Sequence, residues 1–205
     1  YYGPHGDIRK DHRQAQIDII DEVLTWADID SVDEYLDVGC GIGGSSRHLA
    51  RKFNASGQGV TLSPVQAARA REKSDAEGLP ACGFQVADAL NMPFEDDRFD
   101  LVWSMESGEH MPDKKRFVHE MARTCKPGGT IVLVMWCHRD LQPGECGLSA
   151  YEQKLLSRIG RAYHLPPWQS AADMQAYAKE AGLTIVRTAD WTTCVRRFWP
   201  AVNLS

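Results

Sequence analysis

The hydrophobic positions of this chain follow two alternating patterns. In the first, apolar residues recur every three or four positions, which is typical of an amphipathic helix. In the second, short runs of consecutive positions are mostly apolar, which is typical of a buried strand. The helical pattern covers residues 11–27, 45–53, 63–77, 113–125, 151–163 and 170–181. The strand pattern covers residues 35–38, 58–62, 83–87, 99–103, 131–136 and 183–187.

Residues that favour helix starts and turns fall between these segments. Ser63, Pro64 and Gln66 have the order of a helix start, with serine at the N-cap and proline in the first turn. Asp113 and Ser170 are N-cap candidates for two later helices. The KPGG sequence at residues 126–129 predicts a turn before a strand. Strands alternating with helices predict an α/β fold with a doubly wound, mostly parallel sheet, and we expect one domain over residues 1–205.

Charge and cysteine content narrow the class of protein. The net charge of −5 gives no electrostatic support for a nucleic-acid partner. The six cysteines form no CxxC pair and no metal-like spacing with histidine, so we expect no metal site and a reducing compartment. The strongest apolar run, residues 131–137, is too short to cross a bilayer. These features argue against nucleic-acid-binding and disulfide-stabilised proteins.

A glycine-rich turn follows the first predicted strand, in the sequence EYLDVGCGIGGSS at residues 34–46. Gly39, Gly41 and Gly44 satisfy the GxGxxG pattern of dinucleotide-binding proteins. That fold also needs an acidic residue about twenty positions later, for the ribose. Residues 46–70 contain no Asp or Glu, which argues against NAD. Arg47 or Arg51 could hold an NADP phosphate, so an NADP-linked reductase stays an alternative.

An acid precedes the first glycine by two residues, in DVGCGIG, and this arrangement resembles motif I of the class I S-adenosylmethionine methyltransferases. A narrower resemblance runs along the chain, to the γ-tocopherol methyltransferases and the plant alkaloid N-methyltransferases derived from them. It is carried by DVGCGIGGSSRHLA, GVTLSPVQAARA, FQVADAL, PFEDDRFDLVWSMESGEHMPDK, WCHRDL and FWPAV. The resemblance implies a Rossmann-like class I methyltransferase fold and S-adenosyl-L-methionine as cofactor.

The resemblance also implies which residues hold this cofactor. Asp37 lies next to the turn where the ammonium group would sit, and Gly39 and Gly41 let the backbone approach the carboxylate. Gln66 stands where relatives carry an acid that contacts the ribose; the alternative is that it closes a capping box on Ser63. The implied cofactor residues are Asp37, Gly39, Cys40, Gly41, Thr61, Leu62 and Gln66, with Asp88 and Ala89 at the adenine, and Met105.

The segment after the fourth predicted strand, residues 104–110, carries two carboxylates and a histidine to the ligand-binding edge of the sheet. We expect His110 or Glu106 to act as the base or the orienting group for a phenolic acceptor. Glu109 either contacts the acceptor or anchors the loop to the following helix. Trp136 is expected to form a wall of the acceptor pocket. Tyr2 resembles part of the N-terminal segment that closes over the cofactor in the family.

The narrower resemblance implies C-methylation of the chromanol ring of γ-tocopherol or δ-tocopherol, in vitamin E biosynthesis in the plastid. The acceptor would then be an amphipathic phenol, whose prenyl tail implies peripheral contact with a membrane. Alternatives are N-methylation of an indole alkaloid, C-methylation of a sterol, the reductase, and a module that binds without turnover. We expect the chain to be truncated at both ends and to lack the final strand, which would leave residues 183–187 without a neighbour.

Overall fold

The computed structural model describes residues 10–196 and residue 198. A 3-10 turn at Gly108–His110 follows the fourth strand. The helices and strands, in chain order, are α1 His12–Trp26, β1 Glu34–Val38, α2 Gly44–Phe53, β2 Ser56–Thr61, α3 Pro64–Ala76, β3 Cys82–Val86, β4 Phe99–Met105, α4 Lys114–Thr124, β5 Cys125–Val134, α5 Ala150–Tyr163, α6 Ala171–Glu180 and α7 Thr192–Val195.

The five strands form one sheet in the order β3-β2-β1-β4-β5, and every neighbouring pair is parallel. This arrangement confirms the predicted α/β class with a parallel sheet. The chain moves outward from β1 through β2 and β3, and then returns to the other side of β1 with β4. Parallel sheets bind ligands beyond the carboxyl ends of their strands where the strand order reverses. The fold therefore points to the carboxyl ends of β1 and β4.

The predicted helix starts are confirmed. The side chains of Ser63, Asp113 and Ser170 each accept a hydrogen bond from a backbone N–H in the first turn of the helix that follows. Asp11, which was not predicted as a cap, does the same for α1. Capping of this kind satisfies donors that have no partner within the helix. Among the described residues, no helix combines the length and the apolar character that crossing a membrane requires.

The central strands carry the core. A buried apolar cluster joins Leu36 and Val38 of β1, Val102 of β4, and Phe117 and Met121 of α4. These side chains come from positions that the strand and helix patterns had marked as apolar. Because both faces of β1 and β4 are covered, their carboxyl ends are fixed in place beneath the candidate site.

Two strand predictions differ from the structure. Residues 183–187 form no strand, and Val186 is 83% exposed. An apolar run extends a sheet only when a neighbouring strand pairs with it, and within the described part of the chain no strand pairs with this segment. The predicted turn at residues 126–129 lies inside β5 as a bulge. Cys125 pairs with Phe99 and Thr130 pairs with Leu101, so the four residues 126–129 of β5 lie opposite the single residue Asp100 of β4.

The chain falls into two compact units, and the prediction of one domain stays a prediction. The larger unit is residues 32–185 and contains the whole sheet. Of the described residues, the smaller unit combines 10–31 with 186–196 and 198. In this smaller unit, Trp26 contacts Trp191 edge to face with ring centres 6.2 Å apart, and Arg187 forms an ion pair with Asp28.

Candidate active site

Asp37 at the end of β1 is a buried carboxylate, only 2% exposed. Its Oδ2 accepts a hydrogen bond from Ser46 Oγ at 2.5 Å, which lowers its pKa. Burial has the larger, opposite effect and raises the pKa of Asp37 to about 6. A buried acid with one hydroxyl partner gains most from a cation placed beside it. Asp37 therefore fits its predicted role at an ammonium group.

The glycine turn after β1 is held by the neighbouring strand and is open at one position. The backbone N–H groups of Gly39 and Cys40 both donate to Val60 O at 2.9 Å. Gly39 (φ +82°) lies against Ser107, so an added Cβ would overlap that side chain. Gly41 (φ +55°) has no atom within 4 Å of the place where a Cβ would stand. The turn thus offers a bare backbone and free space at Gly41, which suits close approach of a ligand.

The segment after β2 shows how far Gln66 takes part in capping α3. Ser63 Oγ accepts from Gln66 N at 3.2 Å, which is one half of a capping box. The Gln66 side chain instead accepts from Thr61 Oγ1 at 2.8 Å, so it does not complete the box. Gln66 and Leu62 are both exposed. The capping alternative is therefore realised only through the backbone of Gln66, and its side chain stays at the surface of the cleft.

The two residues predicted to contact adenine differ in exposure. Asp88 is exposed, and its Oδ1 accepts from Leu90 N at 2.9 Å, which caps its own turn after β3. Ala89 is buried and belongs to the apolar cluster of the sheet. Asp88 can therefore present its second carboxyl oxygen to a ligand, whereas Ala89 can contribute only through its backbone or its contact surface.

Ser107 links the rim of β4 to the glycine turn, and sequence reasoning did not single it out. Its hydroxyl donates to Val38 O at 2.9 Å and lies 2.7 Å from Ser104 Oγ. Met105 ends β4 and is half-buried. Glu106 has a left-handed backbone (φ +51°), and its N–H donates to Val134 O at 2.8 Å. These contacts place the acidic segment directly beside the glycine turn.

The three titratable residues of this rim have different environments. Glu109 is 5% exposed, and burial raises its pKa to about 7. Glu106 lies at the exposed edge of the rim, although desolvation raises the pKa of its carboxyl and a hydrogen bond from the Trp136 side chain lowers it. His110 is exposed. Of the three residues, Glu109 is therefore the buried one; from the sequence it was expected either to contact the acceptor or to anchor the loop.

Two further features of the acceptor side were not predicted. Lys114 is buried, and its Nζ donates to the carbonyls of Glu109 (3.4 Å), Met111 (3.1 Å) and Pro167 (3.0 Å). Trp136 contacts Tyr163 and Trp168, which continue the predicted wall. The Trp136 ring stacks on Trp168 at 6.4 Å and 15°, and meets Tyr163 edge to face at 5.6 Å. Only long-range packing brings these residues together, so no local signal in the sequence reveals them.

Tyr2 and the two arginines of the NADP alternative complete the predicted groups. Tyr2 lies outside the described residues. Arg47 donates to Ile42 O at 2.7 Å and to Glu77 Oε1 at 3.1 Å, and Arg51 also pairs with Glu77. Both arginines are therefore already engaged, which leaves the NADP alternative without its phosphate ligand. Among residues 10–196 and 198, no group of His, Cys, Asp or Glu could hold a metal ion.

Comparison with known proteins gives related sequences over nearly the whole chain. A family described as a methyltransferase domain matches residues 36–133. Tocopherol O-methyltransferase, chloroplastic, of Arabidopsis thaliana is 48% identical over 98% of this chain and 61% of its own length. Ajmaline N-methyltransferase of Rauvolfia serpentina is 35% identical over 94% of this chain and 68% of its own length. The chain thus spans about three fifths of the length of the Arabidopsis relative.

A solved structure with the same fold covers nearly all of the chain. It is a Galdieria sulphuraria protein assigned as a sarcosine dimethylglycine methyltransferase, with a TM-score of 0.82 and 26% identity. The match covers 96% of this chain and 73% of that chain.

Proposed function

This chain belongs to the tocopherol methyltransferase-like family of class I S-adenosylmethionine-dependent methyltransferases, and on that premise we propose that it methylates a tocopherol-type phenol. The observation that carries the proposal is the pairing of two features at the switch point of the sheet. Buried Asp37 and the open turn at Gly41 suit the methyl donor. The adjoining rim of acids and the aromatic wall at Trp136 suit a phenolic ring.

The described residues fit the cofactor. The Asp37 carboxylate would hold the ammonium group, and the free space at Gly41 would admit the amino acid portion beside Gly39 and Cys40. The N-terminus of α2 directs backbone N–H groups towards the same turn, where they can hold the carboxylate. When bound, S-adenosylmethionine supplies an electrophilic methyl group on a positively charged sulfur. The remaining proposed contacts are Thr61, Leu62 and Gln66 at the ribose, Asp88 and Ala89 at the adenine, and Met105 beside the rim.

On the acceptor side, Glu106, Glu109 and His110 are the groups that can orient and deprotonate the phenol. Removal of the phenolic proton raises the electron density on the ring carbon beside the oxygen. A rim carboxylate that holds the oxygen keeps it from the methyl donor and leaves that carbon free to react. We therefore propose methylation at the ring carbon of γ- or δ-tocopherol, although the name of the Arabidopsis relative refers to O-methylation. We also propose that Tyr2, in the N-terminal segment that would close over the cofactor, contacts the acceptor.

A second candidate is N-methylation of an indole alkaloid. It is favoured by the Rauvolfia relative, of which the chain covers 68% at 35% identity. The Trp136–Trp168 stack would accept an indole as readily as a chromanol ring. An amine that is already neutral needs no base, so this alternative predicts a reaction that is insensitive to loss of the rim acids.

Location and membrane contact follow from the proposed substrate. The Arabidopsis relative is named chloroplastic, and we propose the plastid for this protein as well. A prenyl-tailed phenol resides in a lipid phase, so the enzyme would act at a membrane surface.

The test is incubation of the purified chain with methyl-labelled S-adenosylmethionine and γ-tocopherol, δ-tocopherol or an indole alkaloid amine. Carbon NMR of the isolated product locates the label. We expect an aryl-methyl carbon and a retained phenolic O–H with the tocopherols. A methyl ether would contradict ring methylation, and labelling of the alkaloid alone would favour the second candidate. Asp37→Asn is the control for cofactor-dependent labelling, because it removes the carboxylate proposed to hold the donor.

A further inference from the structure

One carboxyl oxygen in the rim loop has no partner. Glu109 is 5% exposed, and none of the described residues donates a hydrogen bond to its Oε2. Buried polar atoms nearly always have a partner, so an orphan oxygen at the ligand-binding edge of the sheet is a group that a bound ligand could satisfy. Glu109 lies in the 3-10 turn that directly follows β4, at the strand end nearest to the glycine turn.

None of the described groups around Glu109 donates a hydrogen bond to that buried oxygen. The backbone N–H groups of Glu109 itself and of Trp136 act on the carboxyl. The Lys114 ammonium lies nearby, but its hydrogen bonds go to backbone carbonyls, including Glu109 O. Glu106 from the same rim and Cys137 from the end of β5 complete the charged and titratable neighbours. The loop is therefore fixed by backbone contacts, while one side-chain oxygen stays free.

We propose that Glu109 is the general base of this enzyme and that its Oε2 receives the phenolic proton of the acceptor. This inference rests on the proposed function. In the step, the phenolic O–H bond breaks, the proton goes to Glu109, and the electron pair stays on the phenolate. When the ring carbon forms its bond to the methyl group, the phenolate becomes a neutral dienone. That carbon then loses its proton to solvent, which restores the phenolate, and the phenolate takes the proton back from Glu109. The step therefore returns Glu109 to its starting state.

The properties of the three rim residues support this choice. Burial, with a smaller effect of neighbouring Glu106, raises the pKa of Glu109 to about 7, so the carboxyl can take up and release a proton near neutral pH. Glu106 lies at the exposed edge of the rim and is suited to orienting the ring. His110 is exposed and faces competition from water. Glu109 alone combines burial with an unpartnered oxygen.

The first test measures binding without the cofactor. γ-Tocopherol is titrated into wild-type protein by calorimetry in two buffers of different ionisation enthalpy, across pH values on both sides of 7. We expect the phenol to stabilise the ionised carboxylate, so binding releases a proton below about pH 7 and releases none well above it. Binding with no linked proton at any pH would overturn the proposal. This measurement needs no variant, so it is independent of folding.

The second test compares Glu109→Gln with Glu95→Gln, a matched change at an exposed glutamate outside the site. We expect Glu109→Gln to lose the linked proton and to reduce methyl transfer about 10²–10⁴-fold, with affinity for S-adenosylhomocysteine retained. We expect Glu95→Gln to match wild type. Retention of the wild-type pH profile by Glu109→Gln, or loss of that profile in His110→Gln instead, would overturn the proposal. If wild type binds the cofactor product but methylates no phenol, the proposed function fails as well.

Discussion

Gly39 and Gly41 lie in the same turn, but we expect substitution by alanine to have different effects at the two positions. Both have positive φ, at +82° and +55°, so alanine is strained at each position. At Gly39 the new Cβ would overlap the Cβ and Oγ of Ser107. At Gly41 it would enter free space. Gly39→Ala therefore tests the packing of the turn, and Gly41→Ala tests whether the free space is where a ligand binds.

The expected magnitudes follow from these contacts. Alanine with a left-handed backbone lowers the free energy of unfolding by about 1 kcal/mol relative to glycine. This loss is partly offset because alanine has less conformational entropy than glycine in the unfolded chain. Overpacking against Ser107 adds about 1–3 kcal/mol and disturbs the hydrogen bond from Ser107 to Val38 O. We expect the free energy of unfolding to fall by about 2–4 kcal/mol in Gly39→Ala and by about 1 kcal/mol or less in Gly41→Ala.

Urea unfolding measures the stability of both variants, and calorimetric titration measures their affinity for S-adenosylhomocysteine. Gly41→Ala should stay folded and bind at least about tenfold more weakly, which corresponds to about 1.4 kcal/mol. The double variant Gly39→Ala/Ser107→Gly removes the overlapping atoms and should recover part of the stability, as a double-mutant cycle can show. Equal stability losses in the two single variants would refute the packing argument. Wild-type affinity in Gly41→Ala would refute the ligand site.

Two other substitutions test the buried charges. Asp37→Asn should raise the free energy of unfolding by about 1–3 kcal/mol above pH 6 while weakening S-adenosylhomocysteine binding. The pKa of Asp37 is higher in the folded chain (about 6) than its ordinary value of 3.8. Ionisable Asp37 therefore favours folding most below pH 3.8, and this contribution is lost as the pH rises through 6. A gain in the free energy of unfolding of Asp37→Asn that persisted at pH 3 would contradict this origin. Lys114→Met should lower the free energy of unfolding by about 2–4 kcal/mol, because three carbonyls, including Pro167 O, lose a charged donor. Urea unfolding measures this loss, with Lys114→Arg as the control that keeps a charged donor at this position. Equal stability of Lys114→Met and wild type would show that the carbonyls find other donors.

The parts of this structure that follow from local chemistry could be predicted from the sequence. Ser63 and Asp113 cap their helices because serine and aspartate side chains reach the first-turn N–H groups wherever the chain enters a helix. The apolar runs gave the five strands of the sheet, and the glycines after Val38 gave the turn at the end of β1. Each of these signals acts over a few neighbouring residues.

The parts that depend on distant contacts could not be predicted. Residues 183–187 have the composition of a strand, but a strand also needs a neighbour to pair with. Ser107 reads as an ordinary loop serine until the sheet brings Val38 O within 2.9 Å of it. Lys114 reads as a surface lysine in the first turn of α4, yet the segment that carries Pro167 covers it. The unpartnered oxygen of Glu109 likewise appears only once its surroundings are assembled.

Calorimetric titration of the purified chain with S-adenosylhomocysteine, in parallel with NADPH, tests the central claim most directly. The account predicts micromolar binding of S-adenosylhomocysteine that strengthens as pH rises through about 6, because Asp37 must be ionised to hold the ammonium group. It predicts no binding of NADPH, since Arg47 and Arg51 are already paired with Glu77. Binding of NADPH, or no binding of S-adenosylhomocysteine by a chain that unfolds cooperatively, would contradict it.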